Sequence, residues 1–173
     1  MKKKSTVFVS IGSNMGDKYS NCIMGIKHIN ELHATRVVDT ANFYKTEPVD
    51  YKDQDWFVNS ALKLETELDP ETLMASLKNI EQKLGQYEKT VRFGPRIIDL
   101  DIIFYQDMVV NTDKLTIPHP RMHKRCFVLK PLCDIAPEMI HPVLGSSTKK
   151  LLKNVENDHE QDVVLFMQSK NLP

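Results

Sequence analysis

A chain of 173 residues fits one domain around a single sizeable core, and residues 1–173 read as one unit. Lys plus Arg and Asp plus Glu both total 23, so no overall field recruits nucleic acid or an anionic membrane, and any basic function must be local. Cys22, Cys126 and Cys133 are odd in number and lack metal-ligand spacing, which points to reduced thiols in a cytoplasmic protein. No run approaches membrane-spanning length, and no membrane partner is expected.

Thr6 to Ile11 is a β-branched, alternating segment that runs into Gly12, Ser13, Asn14, Met15 and Gly16, a turn from which Asp17 can cap a helix. That helix is predicted to run to about His33, because Tyr19, Cys22, Ile23, Ile26, Ile29 and Leu32 recur at helical spacing. Arg36 to Lys45 and Phe57 to Thr66 read as two strands. The polar loop joining them is long for a hairpin, and long ordered loops are usually functional. Asp69, Pro70 and Glu71 start a second helix whose stripe is Leu73, Met74, Leu77, Ile80 and Leu84, and Gly85 stops it. An apolar strand from Ile97 to Tyr105 completes the order β-α-β-β-α-β. The expected class is therefore α+β, a ferredoxin-like antiparallel sheet with helices on one face and the other face available. Further on, Met108 to Ile117 reads as a small hairpin, Arg125 to Ile135 as a helix despite Pro131, and Ser147 to Val155 as a short terminal helix. Composition leaves Asp162 to Met167 open between an edge strand and a loose tail.

Asp99 and Asp101 stand one residue apart within the apolar strand. Strand alternation puts both carboxylates on one face and Ile98, Leu100, Ile102 and Phe104 on the other. Two like charges on one face are unfavourable unless a cation compensates them. Mg²⁺, often held by one or two carboxylates plus substrate phosphates, meets that need, and so does a structural ion-pair network with Arg92 and Arg96. Arg92 and Arg96 flank the rigid Gly94 and Pro95, while Arg121, Lys124 and Arg125 follow His119. Taken singly these are surface charges; with the paired aspartates they suggest a nucleoside triphosphate site. Gly12 to Gly16 lacks dinucleotide-fingerprint spacing, and there is no P-loop. The His119 and His123 pair invites a zinc reading, but Pro120 interferes with a continuous helix and no carboxylate takes the HExxH position.

Arg92, Phe93, Gly94, Pro95, Arg96, Ile97, Ile98, Asp99, Leu100, Asp101, Ile102, Ile103 closely resembles the R-W-G-P-R-T-x-D-L-D-I-L signature of the 6-hydroxymethyl-7,8-dihydropterin pyrophosphokinase family. The likeness extends to Ile11 to Asp17, Phe43 to Val49, Phe57 with Asn59, and Ile117 to Met122, in order and spacing. It implies transfer of the β,γ-pyrophosphate of ATP to the hydroxymethyl group of a reduced pterin, with release of AMP, in folate biosynthesis. It also implies two Mg²⁺ ions on Asp99 and Asp101, with Arg92 and Arg96 beside them in the catalytic set. On the ATP side it implies Arg96, His119, Arg125, Thr116, Lys114 and Glu81, with Ile102 bordering the adenine. On the pterin side it implies stacking by Phe57 and Phe127, reading of the pyrimidine edge by Asn59, and Thr46, Val49 and Phe93 along the pocket. ATP and the pterin are then the partners, no nucleic acid is bound, and a monomer is expected.

Three departures from the family pattern stand out. Phe93 replaces a common tryptophan, and Gln86 and Glu88 replace arginines in the loop over the active site, where Lys89 and Arg92 are left to compensate. Gln86 to Arg92 carries no apolar stripe and is expected to be mobile until ligand orders it. A catalytically weakened relative is one alternative. A ferredoxin-like RNA-binding module is another, but the aromatic RNA-recognition pattern and a basic face are not visible.

Overall fold

The computed structural model describes residues 4–85, 94–156 and 161–171. Gln86, Glu88, Lys89, Arg92 and Phe93, and with them the expected gating segment, lie outside the described residues. In chain order the elements are β1 (Ser5–Ser13), α1 (Lys18–Asn30), β2 (Thr35–Thr40), β3 (Phe43–Thr46), β4 (Phe57–Thr66), α2 (Pro70–Lys83) and β5 (Asp99–Tyr105). A two-stranded ribbon of β6 (Val110–Asn111) and β7 (Thr116–Ile117) follows, then α3 (Cys126–Ile135), α4 (Thr148–Val155) and β8 (Val163–Met167).

Strands pair antiparallel in the order β5-β1-β4-β3-β8, with β2 also on β4. This is the expected ferredoxin-like order with its second strand divided. The division falls at Ala41 and Asn42, where Asn42 N–H turns to Asp134 Oδ2 at 3.1 Å. Both cap expectations hold: Asp17 accepts from Ser20 N–H at 3.0 Å, and Asp69 from Thr72 N–H at 2.9 Å. Gly85 ends α2 in the left-handed region at φ 102°, open to glycine without steric cost. Helix α1 stops at Asn30, short of His33, because Leu32 N–H bonds back to Ile29 and Ala34 takes φ 51°. The tail forms the outermost strand, β8, on β3.

Two expectations about faces need correction. Phe104 does not share a face with Leu100 and Ile102, because a bulge opposite Phe8 and Val9 shifts the β1–β5 register and reverses the alternation. Leu100 and Ile102 pack with Cys22, Ile29, Leu73 and Leu77 of α1 and α2, whereas Phe104 packs with Phe8, Leu129 and Leu132. Nor is the second sheet face bare. α3 and α4 cover part of it, over Phe8, Ala61, Ile103 and Phe104. The same strands continue on this face as Ser10 and Gly12 on β1, Asn59 on β4, and Asp99 and Asp101 on β5. Small and polar residues give the covering helices nothing apolar to bury there, so this end of the face stays open as a cleft.

Candidate active site

The cleft encloses about 240 Å³. Its floor is the polar end of the sheet; its walls are the loop from Thr46 to Phe57, the segment around Arg96, and His119 to Val128. Asn14 ties two of these walls together. Its N–H donates to the Arg96 carbonyl at 3.0 Å, its Oδ1 accepts from Arg96 N–H at 2.7 Å, and its Nδ2 donates to Gln54 Oε1 at 2.9 Å and the Asp55 carbonyl at 3.1 Å. A residue inside the opening turn therefore fixes the backbone that carries Arg96.

At one end the two aspartates face the cleft with cations close by. Arg96 Nη1 is 2.8 Å from Asp99 Oδ1, and Lys78 Nζ is 3.6 Å from Asp101 Oδ1. Burial, reinforced by the Asp101 charge, raises the Asp99 carboxyl well above the ordinary carboxylate range even though Arg96 and Lys78 oppose the shift. Among the described residues no group of three or more His, Cys, Asp or Glu side chains is arranged to hold a metal ion. Two hard oxygen donors on one face nevertheless fit Mg²⁺, which completes its coordination with water and phosphate oxygens.

Next to the aspartates stand His119, Arg121 and Arg125. Burial lowers the His119 pKa, and Nδ1 accepts the Arg121 N–H at 3.2 Å, so the neutral ring keeps its proton on Nε2 as a donor. Arg121 and Arg125 both reach Asp50 Oδ2, at 3.2 and 3.5 Å. Asp50 takes φ 71°, a conformation that costs a non-glycine residue about 1 kcal/mol or more and gathers at ligand clamps and switch regions. No sequence signal singles out this loop carboxylate as a partner of the two arginines.

At the other end Asn59 is buried, and its Nδ2 donates to Thr46 Oγ1 at 2.6 Å. Gly12 faces it across the β1–β4 pair, and a Cβ on Gly12 would collide with Asn59 Oδ1. Glycine is what lets the amide lie over the sheet. Phe57, Val49 and Phe127 line the same end, and the Arg125 guanidinium stands 5.4 Å from the Phe127 ring centre.

The fold therefore brings together Thr46, Val49, Phe57, Asn59, Arg96, Asp99, Asp101, His119, Arg125 and Phe127. Four residues expected near the nucleotide do not line this cleft. The Ile102 side chain is buried in the α1–α2 core, because alternation turns it away from Asp101. The Glu81 carboxylate is buried and bonded to Leu100 N–H and Lys78. Lys114 lines a separate depression with Glu71, Thr72 and Leu115, and Thr116 sits on the small ribbon. His123 does not pair with His119; its ring meets that of His141, 6.4 Å away. Ser10, Gly12, Asp50, Gln54 and Lys78 join or adjoin the site without having been expected there.

Residues 8–137 match the family described as 7,8-dihydro-6-hydroxymethylpterin-pyrophosphokinase. The chain is 42% identical over 151 residues to the folic acid synthesis protein FOL1 of Dictyostelium discoideum, a match covering 87% of this chain and 22% of that protein. It is 38% identical over 137 residues to the 2-amino-4-hydroxy-6-hydroxymethyldihydropteridine pyrophosphokinase of Haemophilus influenzae, covering 79% of this chain and 85% of the relative. The chain thus spans about a fifth of the FOL1 relatives and most of the bacterial one. A crystal structure of Plasmodium falciparum HPPK-DHPS superposes with TM-score 0.72 at 16% identity, over 89% of this chain and 46% of that one, and shares the fold. The match over residues 8–137 places the chain in the 7,8-dihydro-6-hydroxymethylpterin-pyrophosphokinase (HPPK) family.

Proposed function

We propose that the chain transfers the β,γ-diphosphate of ATP to the hydroxymethyl group of 6-hydroxymethyl-7,8-dihydropterin, giving AMP and the pterin diphosphate in folate synthesis. One observation carries this reading: within a family-matched chain, a carboxylate pair and an arginine cluster share one cleft with an apolar, amide-bearing pocket. Phe57 and Phe127 stack on the flat pterin ring, and Asn59, held by Thr46, pairs with its pyrimidine edge. Arg96, Arg121, Arg125 and the Nε2 proton of His119 bind the polyphosphate. Asp99 and Asp101 are the residues that hold Mg²⁺, in a two-ion arrangement. When bound, the ions neutralise the triphosphate and lower the pKa of the pterin hydroxyl. The hydroxyl oxygen forms a bond to the β-phosphorus, the bond from that phosphorus to the α-phosphate oxygen breaks, and Asp101 is placed to take the hydroxyl proton.

The cleft is built on one continuous sheet that runs from β5 to β8, which supports a single catalytic unit. Three cysteines with no disulfide among the described residues support a reducing cytoplasm. No described helix is long and apolar enough to cross a membrane. Incubating the protein with ATP, Mg²⁺ and the reduced pterin tests the function, with AMP formed one for one with pterin diphosphate as the expected product. ATP hydrolysis indifferent to pterin would overturn it.

Asp50 gives a separate expectation. Its carboxylate sits where an incoming phosphate would meet Arg121 and Arg125, so it competes with substrate for both. Asp50→Asn removes the charge and still tolerates the left-handed backbone. Calorimetry should find ATP bound about three- to tenfold more tightly, the scale of one screened charge. Weaker binding would mean that Asp50 aligns the arginines instead.

A further inference from the structure

Strand β5 ends the sheet, so the outward main-chain groups of Leu100, the residue between the two aspartates, have no neighbouring strand. Helix α2 supplies partners for them. Glu81 Oε1 accepts the Leu100 N–H at 2.7 Å, and Lys78 Nζ donates to the Leu100 carbonyl at 3.1 Å. The two side chains, one helical turn apart, also bond to each other at 2.7 Å, so they act together as a short substitute strand. The Lys78 ammonium thereby comes round the sheet edge to 3.6 Å from Asp101 Oδ1.

We propose that Lys78 is a positioning residue that serves as a resident cation for Asp101, held there by Glu81 and the Leu100 carbonyl, and so opposes capture of divalent metal by the carboxylate pair in the absence of nucleotide. Arg96 does the same for Asp99 from the other side. A positive charge fixed beside a carboxylate lowers that carboxylate's affinity for a dication. The nucleotide's own negative charge reverses the balance, so metal enters with ATP and not before it. This assignment rests on the metal role proposed for Asp99 and Asp101. It differs from the expectation for Glu81, whose carboxylate is committed to Lys78 and Leu100 and acts through them.

The test is titration of the nucleotide-free protein with Mn²⁺, followed by the paramagnetic signal of the free ion. Lys78→Gln keeps a donor for Glu81 but removes the charge, and it should bind Mn²⁺ about tenfold more tightly than the wild type, with Lys78→Arg close to the wild type. A residue that only braced the strand would give equal or weaker Mn²⁺ binding in Lys78→Gln, and either result overturns the proposal. If Lys78→Gln is too unstable to titrate, Glu81→Gln decides. That variant keeps an acceptor for Leu100 N–H and loosens the ammonium, so tighter Mn²⁺ binding is again expected and unchanged binding counts against the idea. Asp101→Ala is included in the same experiment. If the nucleotide-free Asp101→Ala protein binds Mn²⁺ as tightly as Lys78→Gln does, the carboxylate is not the metal ligand and the metal role fails, an outcome distinct from unchanged binding in Lys78→Gln.

Discussion

Asp99→Ala and Asp101→Ala each abolish formation of AMP from ATP and the reduced pterin, a loss of at least about a thousandfold if both carboxylates hold the ions that offset the polyphosphate charge. The same variants should fold at least as stably as the wild type without ligand. Asp99 lies half-buried beside Asp101, and that environment raises its pKa. A raised carboxyl pKa contributes stability that is present below the unfolded-state value and lost as the group ionises with rising pH. Without ligand, Asp99→Asn is therefore expected to gain thermal stability relative to the wild type as pH rises from about 4 toward neutrality. Arg96 limits the gain, since removing Asp99 leaves a buried guanidinium without its 2.8 Å partner. Product analysis and thermal scans across pH check both halves. Near-normal AMP production in either alanine variant would sink the metal role, and a pH profile unaltered in Asp99→Asn would remove the electrostatic account.

The sequence made the two aspartates legible because strand alternation is local: two residues of separation put both side chains on one face whatever the strand pairs with. Phe104 escaped the same reasoning since its face depends on a bulge in the β1–β5 register, which involves the partner strand. The caps at Asp17 and Asp69 and the stop at Gly85 were readable for the same local reason, each resting on hydrogen bonds or backbone angles within a few residues. Resemblance to the family supplied residue types for the cleft but not side-chain directions. Glu81 and Ile102 therefore turned out to be committed to the sheet edge and to the core. Lys78 and Asp50 could not be read at all. Their importance comes from a helix reaching round an edge strand and from a left-handed residue in a long loop, and both are tertiary facts.

Asn59→Ala should weaken binding of the reduced pterin by about 1–3 kcal/mol while leaving ATP affinity nearly unchanged. Asn59 is buried on β4, and its amide spends one donor on Thr46 Oγ1. The remaining donor and acceptor capacity is what a pterin edge can pair with, and truncation leaves that edge in the cleft without a partner. Gly12→Ala makes the same prediction by another route. A Cβ at residue 12 collides with Asn59 Oδ1 and drives the amide from its place without removing any polar group. The two variants should lose pterin affinity in parallel, and the double variant should lose little more than Asn59→Ala alone, since Gly12 acts only through Asn59. Calorimetry with each ligand separately is the measurement. Equal losses for ATP and pterin would point to a damaged sheet, and full additivity in the double variant would show that Gly12 contributes to the pterin pocket independently of the amide it faces.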